Sequence, residues 1–445
     1  MPNRIRARDL LRERPVWALP IAVGAVVVGL MTALYIGFAV DPVTHMHGLP
    51  VSLVQDDRGA KQLDLGEDLE KALLGSPEVS DKLGIKVESL AAARERMDRG
   101  DSYATLVVPP GFSAAALNLV GVPGPHPARE GLPTVRLLSN QRAGTTGASL
   151  ATGVLEPAVA AFSQQVGKEL LAKGGAGAGP AARAALADPV RAEATVYRPL
   201  PATAALGLSA FYASLLILMS GFLGATIVNT FVDGRLGFAP AEIGPNWSMA
   251  PPTLISRRQT LLAKWAIATA LTGVAVAVFI FVAAVILGMD APSPVLLWAY
   301  GWFAAATVAI GALTLLAVLG TPGQVVALLI FVYVGLASAG GTVPIQALPD
   351  FFAVISHADP LRQILEGVRS ILYFEGRADA GLGDAAILTA VGLLIWLALG
   401  AFFVRRYDKQ GRDRVDQELL AYVQEAADQY RDLSKSRGRK VSSSK

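Results

Sequence analysis

The sequence contains no cysteine. Disulfides, thiolate nucleophiles and cysteine-ligated metals are therefore excluded, and any part facing an oxidising compartment must be held by its own apolar core. Histidine is scarce, at His45, His47, His126 and His357 only. His45 and His47 have a spacing that suits a metal, but neither cysteine nor a carboxylate cluster accompanies them. They read as polar residues beside a membrane span. His357 stands close to Asp359, too thin a pairing for a proton relay when the long apolar runs carry essentially no ionisable residue. Proton- and sodium-driven transporters bury such groups in their spans and often repeat one half in the other; neither feature is visible here. No G-x-x-x-x-G-K-[ST] string occurs, so the chain has no P-loop for ATP. The run GGAGAGP at 174–180 has no strand before it and no Lys-Ser/Thr after it, and reads as a flexible linker. No catalytic constellation, cofactor motif or metal site is left.

What the chain has is apolar length. Its residues are 53% hydrophobic and 17% charged, with a mean hydropathy of +0.45. The apolar residues gather into six runs, 16–40, 203–228, 266–288, 295–319, 323–340 and 385–404, each near the ~20 residues that cross a bilayer as a helix. The first is too long for a signal-peptide core and has no clear cleavage site, so it reads as a retained anchor. Positive charge fixes the orientation. Arg4, Arg6, Arg8, Arg12 and Arg14 precede the first run; Arg235, Arg257, Arg258 and Lys264 lie between the second and third; Arg405, Arg406 and Lys409 follow the last. The short loop 289–294 has no Lys or Arg. The expectation is an α-helical polytopic membrane protein of six transmembrane helices, with both termini cytoplasmic and an α/β extracytoplasmic domain between helices 1 and 2. The predicted organisation is a basic N-terminus (1–15), helix 1 (16–40), the outer domain (41–200), a five-helix domain (201–404) and a basic cytoplasmic tail (405–445). Acidic and basic residues nearly balance in 41–200, so this domain is no nucleic-acid binder.

Within 41–200, strand-like runs alternate with helical ones. LPVSLVQ (49–55), 85–90, YATLVV (103–108) and 134–139 read as strands; 63–74, 91–99, 112–120 and 148–173 read as helices. Such alternation predicts a largely parallel or mixed sheet. The segment 121–131, rich in Pro and Gly, reads as a surface loop.

Three further stretches stand out. The polar, Pro-rich, cationic loop 229–265 separates two spans. In the span before it, small residues recur at four-residue spacing, including Ser220, Gly221 and Gly224, which lets helices approach closely and suits a seam with another subunit. The outer segment 341–384 contains an amphipathic helix with Leu361, Ile364, Leu365, Val368, Ile371 and Leu372 on one face. Arg362, Glu366 and Arg369 occupy the other, spaced for ion pairs. It is too short and charged to span, and is expected at the outer interface or as a re-entrant helix. The tail carries an amphipathic stripe from Val415 to Leu433 before a disordered basic end.

The order of anchor, outer domain, five spans and outer hairpin resembles ABC-2 type permeases, in particular the YhgE/Pip (phage-infection-protein) branch. The matching strings are LPVSLVQDDRGA (49–60), G-x-x-Y-A-x-L-V-V-P-P-G-F-S (100–113), DGRLGFAPAEIGPNW (233–247), ISRRQTLLAKW (255–265), SAGGTVPIQALPDFF (338–352) and EGVRSILY (366–373). The resemblance implies a cytoplasmic loop that contacts a separate ATP-binding subunit. Asp233, Arg235, Glu242, Arg257 and Arg258 become the candidate contacts, although Arg257 and Arg258 also suit anchoring to headgroups. It implies a homodimer in the bilayer of a bacterial plasma membrane, with no cofactor of its own, exporting an apolar or amphipathic cargo. The alternative is a non-transporting envelope scaffold, secretion accessory or phage-attachment protein acting through its outer domain.

Overall fold

In the computed structural model, the described residues are 14–37, 41–60, 63–121, 132–174, 180–412 and 414. Arg4, Arg6, Arg8 and Arg12, the loop 122–131, the glycine run 175–179 and the tail stripe 415–433 lie outside them. Helix α1 (Arg14–Gly37) is followed by β1 (Leu49–Gln55), α2 (Leu65–Gly75), β2 (Leu83–Val87), α3 (Leu90–Arg99) and β3 (Ala104–Val108). Next come α4 (Phe112–Gly121), β4 (Thr134–Ser139), α5 (Thr145–Gly174), α6 (Pro180–Ala187) and β5 (Arg191–Val196). Helix α7 (Ser209–Arg235) leads to a hairpin of β6 (Ala241–Ile243) and β7 (Asn246–Ser248), and then to α8 (Arg257–Ile280), which runs on as a π-helical stretch, Phe281–Ile286. The chain continues through α9 (Pro294–Leu319), α10 (Pro322–Ser338), α11 (Asp350–Ser356), α12 (Pro360–Tyr373) and α13 (Leu382–Lys409). It divides into two compact units. One comprises Met1–Leu216, Ile280–Gly301 and Ile330–Leu388; the other comprises Ile217–Phe279, Trp302–Leu329 and Thr389–Lys445.

The first unit is built on a five-stranded sheet of order β2-β1-β3-β4-β5. β1 pairs parallel with β2 and β3, β4 runs antiparallel to β3, and β5 is parallel to β4. The sheet is mixed, as the alternation predicted. Central β3 is buried at every position, as its apolar residues Ala104, Leu106, Val107 and Val108 require, and its one polar residue, Thr105, donates to Met97 Sδ at 3.0 Å. Ala151, Leu155, Val159, Phe162, Val166 and Leu170, at helical spacing along α5, form one side of the core with Leu49, Leu53, Leu106 and Leu137 of the sheet. β5 is an edge strand of mostly exposed residues, RAEATV, whose alternation runs over Ala192, Ala194 and Val196, two of them alanines with little strand preference, and so gave only a weak signal in the sequence. The buried hydroxyl of Ser52 donates to Glu88 at 2.6 Å, and Arg96 binds the same carboxylate at 3.2 Å. Gly100 closes α3 with φ +79°, and a Cβ there would meet the Phe374 ring at 3.1 Å, so only glycine fits the turn.

Four helices are long and apolar enough to cross a membrane: Ser209–Arg235, Arg257–Ile286, Pro294–Leu319 and Leu382–Lys409. The other two expected spans correspond to shorter apolar helices, Ile21–Leu34 within α1 and Pro322–Ser338. The latter is π-helical over Leu328–Val334. At 1.5 Å per residue, 17 residues of α10 reach only about 25 Å. In the second unit α9 is the most enclosed helix, with Ala304, Ala305, Val308, Ala309, Ala312 and Leu313 all buried. Its small side chains let neighbours close in, since in lipid close packing rather than water exclusion holds helices together.

Candidate functional site

The stretch 229–265 is less of a loop than its composition suggests. α7 carries on to Arg235 and α8 begins at Arg257, so only about twenty residues lie between the two helices. Their centre is the β6–β7 hairpin, turned by Gly244 (φ +57°) and Pro245. Trp247, Met249 and Leu254 are exposed on this excursion.

Beneath it, the ends of α7 and α8 are tied by charge. Lys264 Nζ donates to Asp233 Oδ1 and to Asn229 Oδ1, both at 2.7 Å. Arg414 adds a forked contact, Nη1 to Asp233 Oδ1 at 2.6 Å and Nη2 to Oδ2 at 3.2 Å, with its guanidinium 4.8 Å over the Phe238 ring. The side chains of Lys264 and Asp233 are 6% and 9% exposed. An ion pair this buried persists only when its hydrogen-bonding capacity is met, and Asn229 and Arg414 meet it. Arg257 Nε donates to Arg412 O at 2.6 Å, with its guanidinium 5.6 Å over Tyr407. The Arg258 amide approaches Asp408 Oδ2 at 3.4 Å.

The five expected contacts therefore separate. Arg235, Glu242 and Arg258 are exposed and open to a partner. Arg257 is half-buried and engaged, and Asp233 is buried as the hub of the ion cluster. Asp233 thus acts inside the chain, not on its surface. The sequence carried a signal that was missed: an acid and a base, Asp233 and Lys264, close facing ends of two apolar runs.

The small residues of α7 also pack inside the chain. A Cβ on Gly221 would overlap the Ala305 carbonyl oxygen and lie 2.8 Å from Val308 Cβ of α9. Gly224 faces α8, where a Cβ would meet Leu271 and Thr272 at 3.6 Å. Ser220 is half-buried on the same turn. The expected subunit seam is, at Gly221 and Gly224, a seam between this chain's own helices.

In the segment 341–384, Leu361, Ile364, Leu365, Val368, Ile371 and Leu372 are all buried, as their spacing predicted. Arg362 Nε pairs with Glu366 at 2.8 Å and Nη1 donates to Ser356 Oγ at 2.9 Å; Arg369 is half-buried on the same stripe. Asp359 caps α12, accepting from the Leu361 amide at 2.9 Å and from Ser338 Oγ at 3.2 Å. Burial pushes its carboxyl up to about 8, with the cap hydrogen bonds opposing. The Asp-Pro pair at 359–360 was the sequence signal for this cap. His357 is turned away, its ring facing the carbonyls of Ala353 and Val354, so no His–Asp relay forms. His45 and His47 likewise face backbone carbonyls, and no metal-holding group of three or more ligands occurs among the described residues.

The same segment is bound into the sheet domain. His47 N donates to Gln346 O at 2.8 Å, Arg142 Nη1 to Tyr373 O at 3.1 Å, and Arg377 Nη2 to Glu95 at 2.7 Å. Ala347 is fully buried within the sheet's own core.

A model of the family described as protein of unknown function (DUF3533) matches residues 21–397, and the chain belongs to that family. No curated protein and no solved structure matches it.

Proposed function

We propose that this family member is the membrane subunit of an ABC-2-like exporter, in which a separate ATP-binding subunit docks on the excursion between α7 and α8. The carrying observation is the ion cluster of Asp233, Lys264, Asn229 and Arg414. Force applied to an exposed hairpin is useful only if it reaches helices that move together, and this cluster joins the ends of two helices of spanning length. The hairpin supplies exposed Glu242 and Trp247 beside Arg235, a mixed polar and aromatic surface of the kind interfaces favour. In this reading α1 and α10 complete six spans, the termini and hairpin are cytoplasmic, the sheet domain lies outside a bacterial plasma membrane, and two copies form the pathway.

The test is co-purification of the tagged full-length chain from its native membrane, with the eluate assayed for ATP hydrolysis. A stoichiometric P-loop ATPase, lost on Arg235→Glu/Glu242→Lys while the protein stays inserted, supports the reading. Recovery without any ATPase rejects it.

A second reading, an envelope scaffold or cargo-handling protein acting through its outer domain, draws on a groove of about 530 Å³ on the sheet domain. Leu73, Val79, Val154, Pro157 and Phe162 line it. Pro157 inside α5 removes a backbone donor there. Envelope proteins captured through residues 41–200, with no ATPase present, would favour this reading.

A further inference from the structure

At the ends of α3, β4, β5 and α12, the first unit forms a cavity of about 180 Å³ that neither reading uses. At roughly 15 Å³ for each water-sized probe, it takes about a dozen such atoms. Most of the charge around it is already matched. Arg198 Nη2 pairs with Asp98 Oδ2 at 3.1 Å, Tyr197 donates to Asp98 Oδ1 at 3.0 Å, and Arg377 is held by Glu95 and Asp379. Three groups are left over. Asn140 is 1% exposed, and its Nδ2 donates to the carbonyls of Met97 and Ser102 at 2.8 and 3.0 Å, which fixes the orientation of the amide. Its Oδ1 has no hydrogen-bond partner among the described residues, which is unusual for an atom so buried. Arg142, two residues on, donates to the carbonyls of Arg198, Pro199 and Tyr373, so three of its five N–H groups are used and no carboxylate among the described residues offsets its charge. The carboxylate of Glu375 makes no hydrogen bond or ion pair among the described residues. The backbone points the same way. Arg198 (φ +44°) and Glu375 (φ +59°) are two of the four non-glycine residues with positive φ among the described residues, and both line this cavity. Such strain persists only where the surrounding structure imposes it, and it collects at ligand sites.

We propose that this cavity binds a free α-amino acid with a small apolar side chain. A cation, an acid and a buried acceptor, each left without a counterpart, are the complement of a zwitterion. The ligand carboxylate takes the remaining N–H groups of Arg142, and the ligand ammonium donates to Asn140 Oδ1 and to the Glu375 carboxylate. Buried Met97 and Phe374 supply the apolar wall for the side chain. The volume limits the ligand to about ten non-hydrogen atoms. The site stands whether or not an ATPase docks on the hairpin.

The test is equilibrium dialysis of the full chain, purified in detergent, against radiolabelled glycine, L-alanine, L-valine and L-leucine in turn. Saturable binding of at least one is expected. For the tightest, two analogues follow: the amide, which loses the acid, and the deaminated carboxylic acid, which loses the ammonium. Each is expected to bind at least about tenfold more weakly, as for loss of one charge-assisted hydrogen bond. Glu375→Gln is expected to weaken the amino acid by a similar factor and to remove its advantage over the deaminated acid. Glu375→Gly, which relieves the strain at φ +59°, is expected to melt no lower than the parent yet to bind as weakly as Glu375→Gln. Glu193→Gln, at an exposed acid of the same sheet outside the cavity lining, is expected to leave binding intact. Absence of saturable binding, the cavity then taking water only, overturns the site, as does equal weakening by Glu193→Gln. An analogue bound as tightly as the amino acid overturns the zwitterion assignment.

Discussion

Two glycines one turn apart on α7 should respond in opposite directions to the same substitution. At Gly221 a methyl group would press into the Ala305 carbonyl and Val308 Cβ, backbone and branched side chain of a helix that is itself enclosed. Neither neighbour is the free end of a flexible chain, so relief requires α7 and α9 to part. Overpacking of this kind costs about 1–3 kcal/mol, against which alanine's better helix propensity returns at most about 1 kcal/mol. At Gly224 the nearest atoms lie 3.6 Å away, at ordinary contact distance, so the propensity gain stands nearly alone. Gly221→Ala is therefore expected to destabilise by roughly 1–2 kcal/mol, and Gly224→Ala to be neutral or to stabilise by up to about 1 kcal/mol. The assay is thermal unfolding of the detergent-solubilised protein, followed by tryptophan fluorescence, with each variant's oligomeric state measured alongside. Equal loss of stability in both variants, together with dissociation of a dimer, would refute the assignment of these residues to contacts within one chain.

Asp233→Asn leaves buried Lys264 without its carboxylate and should cost about 3 kcal/mol, whereas Asp233→Leu combined with Lys264→Met should recover most of it, read by the same unfolding assay. Asp359 has a folded-state pKa near 8, above the unfolded value of about 3.9. Its contribution to stability is thus complete below about pH 4 and is lost as pH rises through about 8. Asp359→Asn, which keeps an acceptor for the cap, should flatten that decline and exceed the parent in melting temperature in alkaline buffer. Arg377 lowers the Glu95 carboxyl by hydrogen bond and charge, so the support it gives is present above the normal glutamate pKa and disappears as pH falls through the depressed one. Protection of the amides of residues 374–380, taken relative to their intrinsic exchange rates at each pH, should fall on acidification, and Arg377→Ala should remove that pH dependence.

How much of this was legible depended on whether the determining contact was local. β1 and β4 were read to the residue because LPVSLVQ and TVRLLS carry their own β-branched patterns and turn signals. The six apolar residues expected on the buried face of α12 are all buried, since helical spacing dictates them, while Gln363, Gly367, Ser370 and Tyr373 are buried beside them without an apolar signal. β5 was missed because an edge strand takes its pairing from β4, and its own alternation rests largely on the small residues Ala192 and Ala194. The ion cluster was missed for a related reason. Asp233 and Lys264 are 31 residues apart, and each looks like an ordinary headgroup-facing charge until their helices are placed together. Composition also overstated the loop 229–265, because polar residues that end a helix look the same in sequence as polar residues that leave it. The small-residue pattern of α7 correctly announced close packing, but spacing says nothing of whose helix is the neighbour.

The contribution of Ala347 to the sheet core has a consequence for the order in which the protein is made. Residues 41–200 emerge from the ribosome well before 343–377, yet Ala347, the Gln346 carbonyl, the Phe374 ring and the Arg377 guanidinium complete their surface and interior. Domains that fold as units usually do so soon after synthesis. Here an unfinished α/β layer must persist while three helices of spanning length are produced, and it closes only once the segment 341–384 has returned to it. A gene fragment encoding 41–200 alone would accordingly give a soluble piece with an open flank, and supplying the 341–384 peptide separately would be the way to close it.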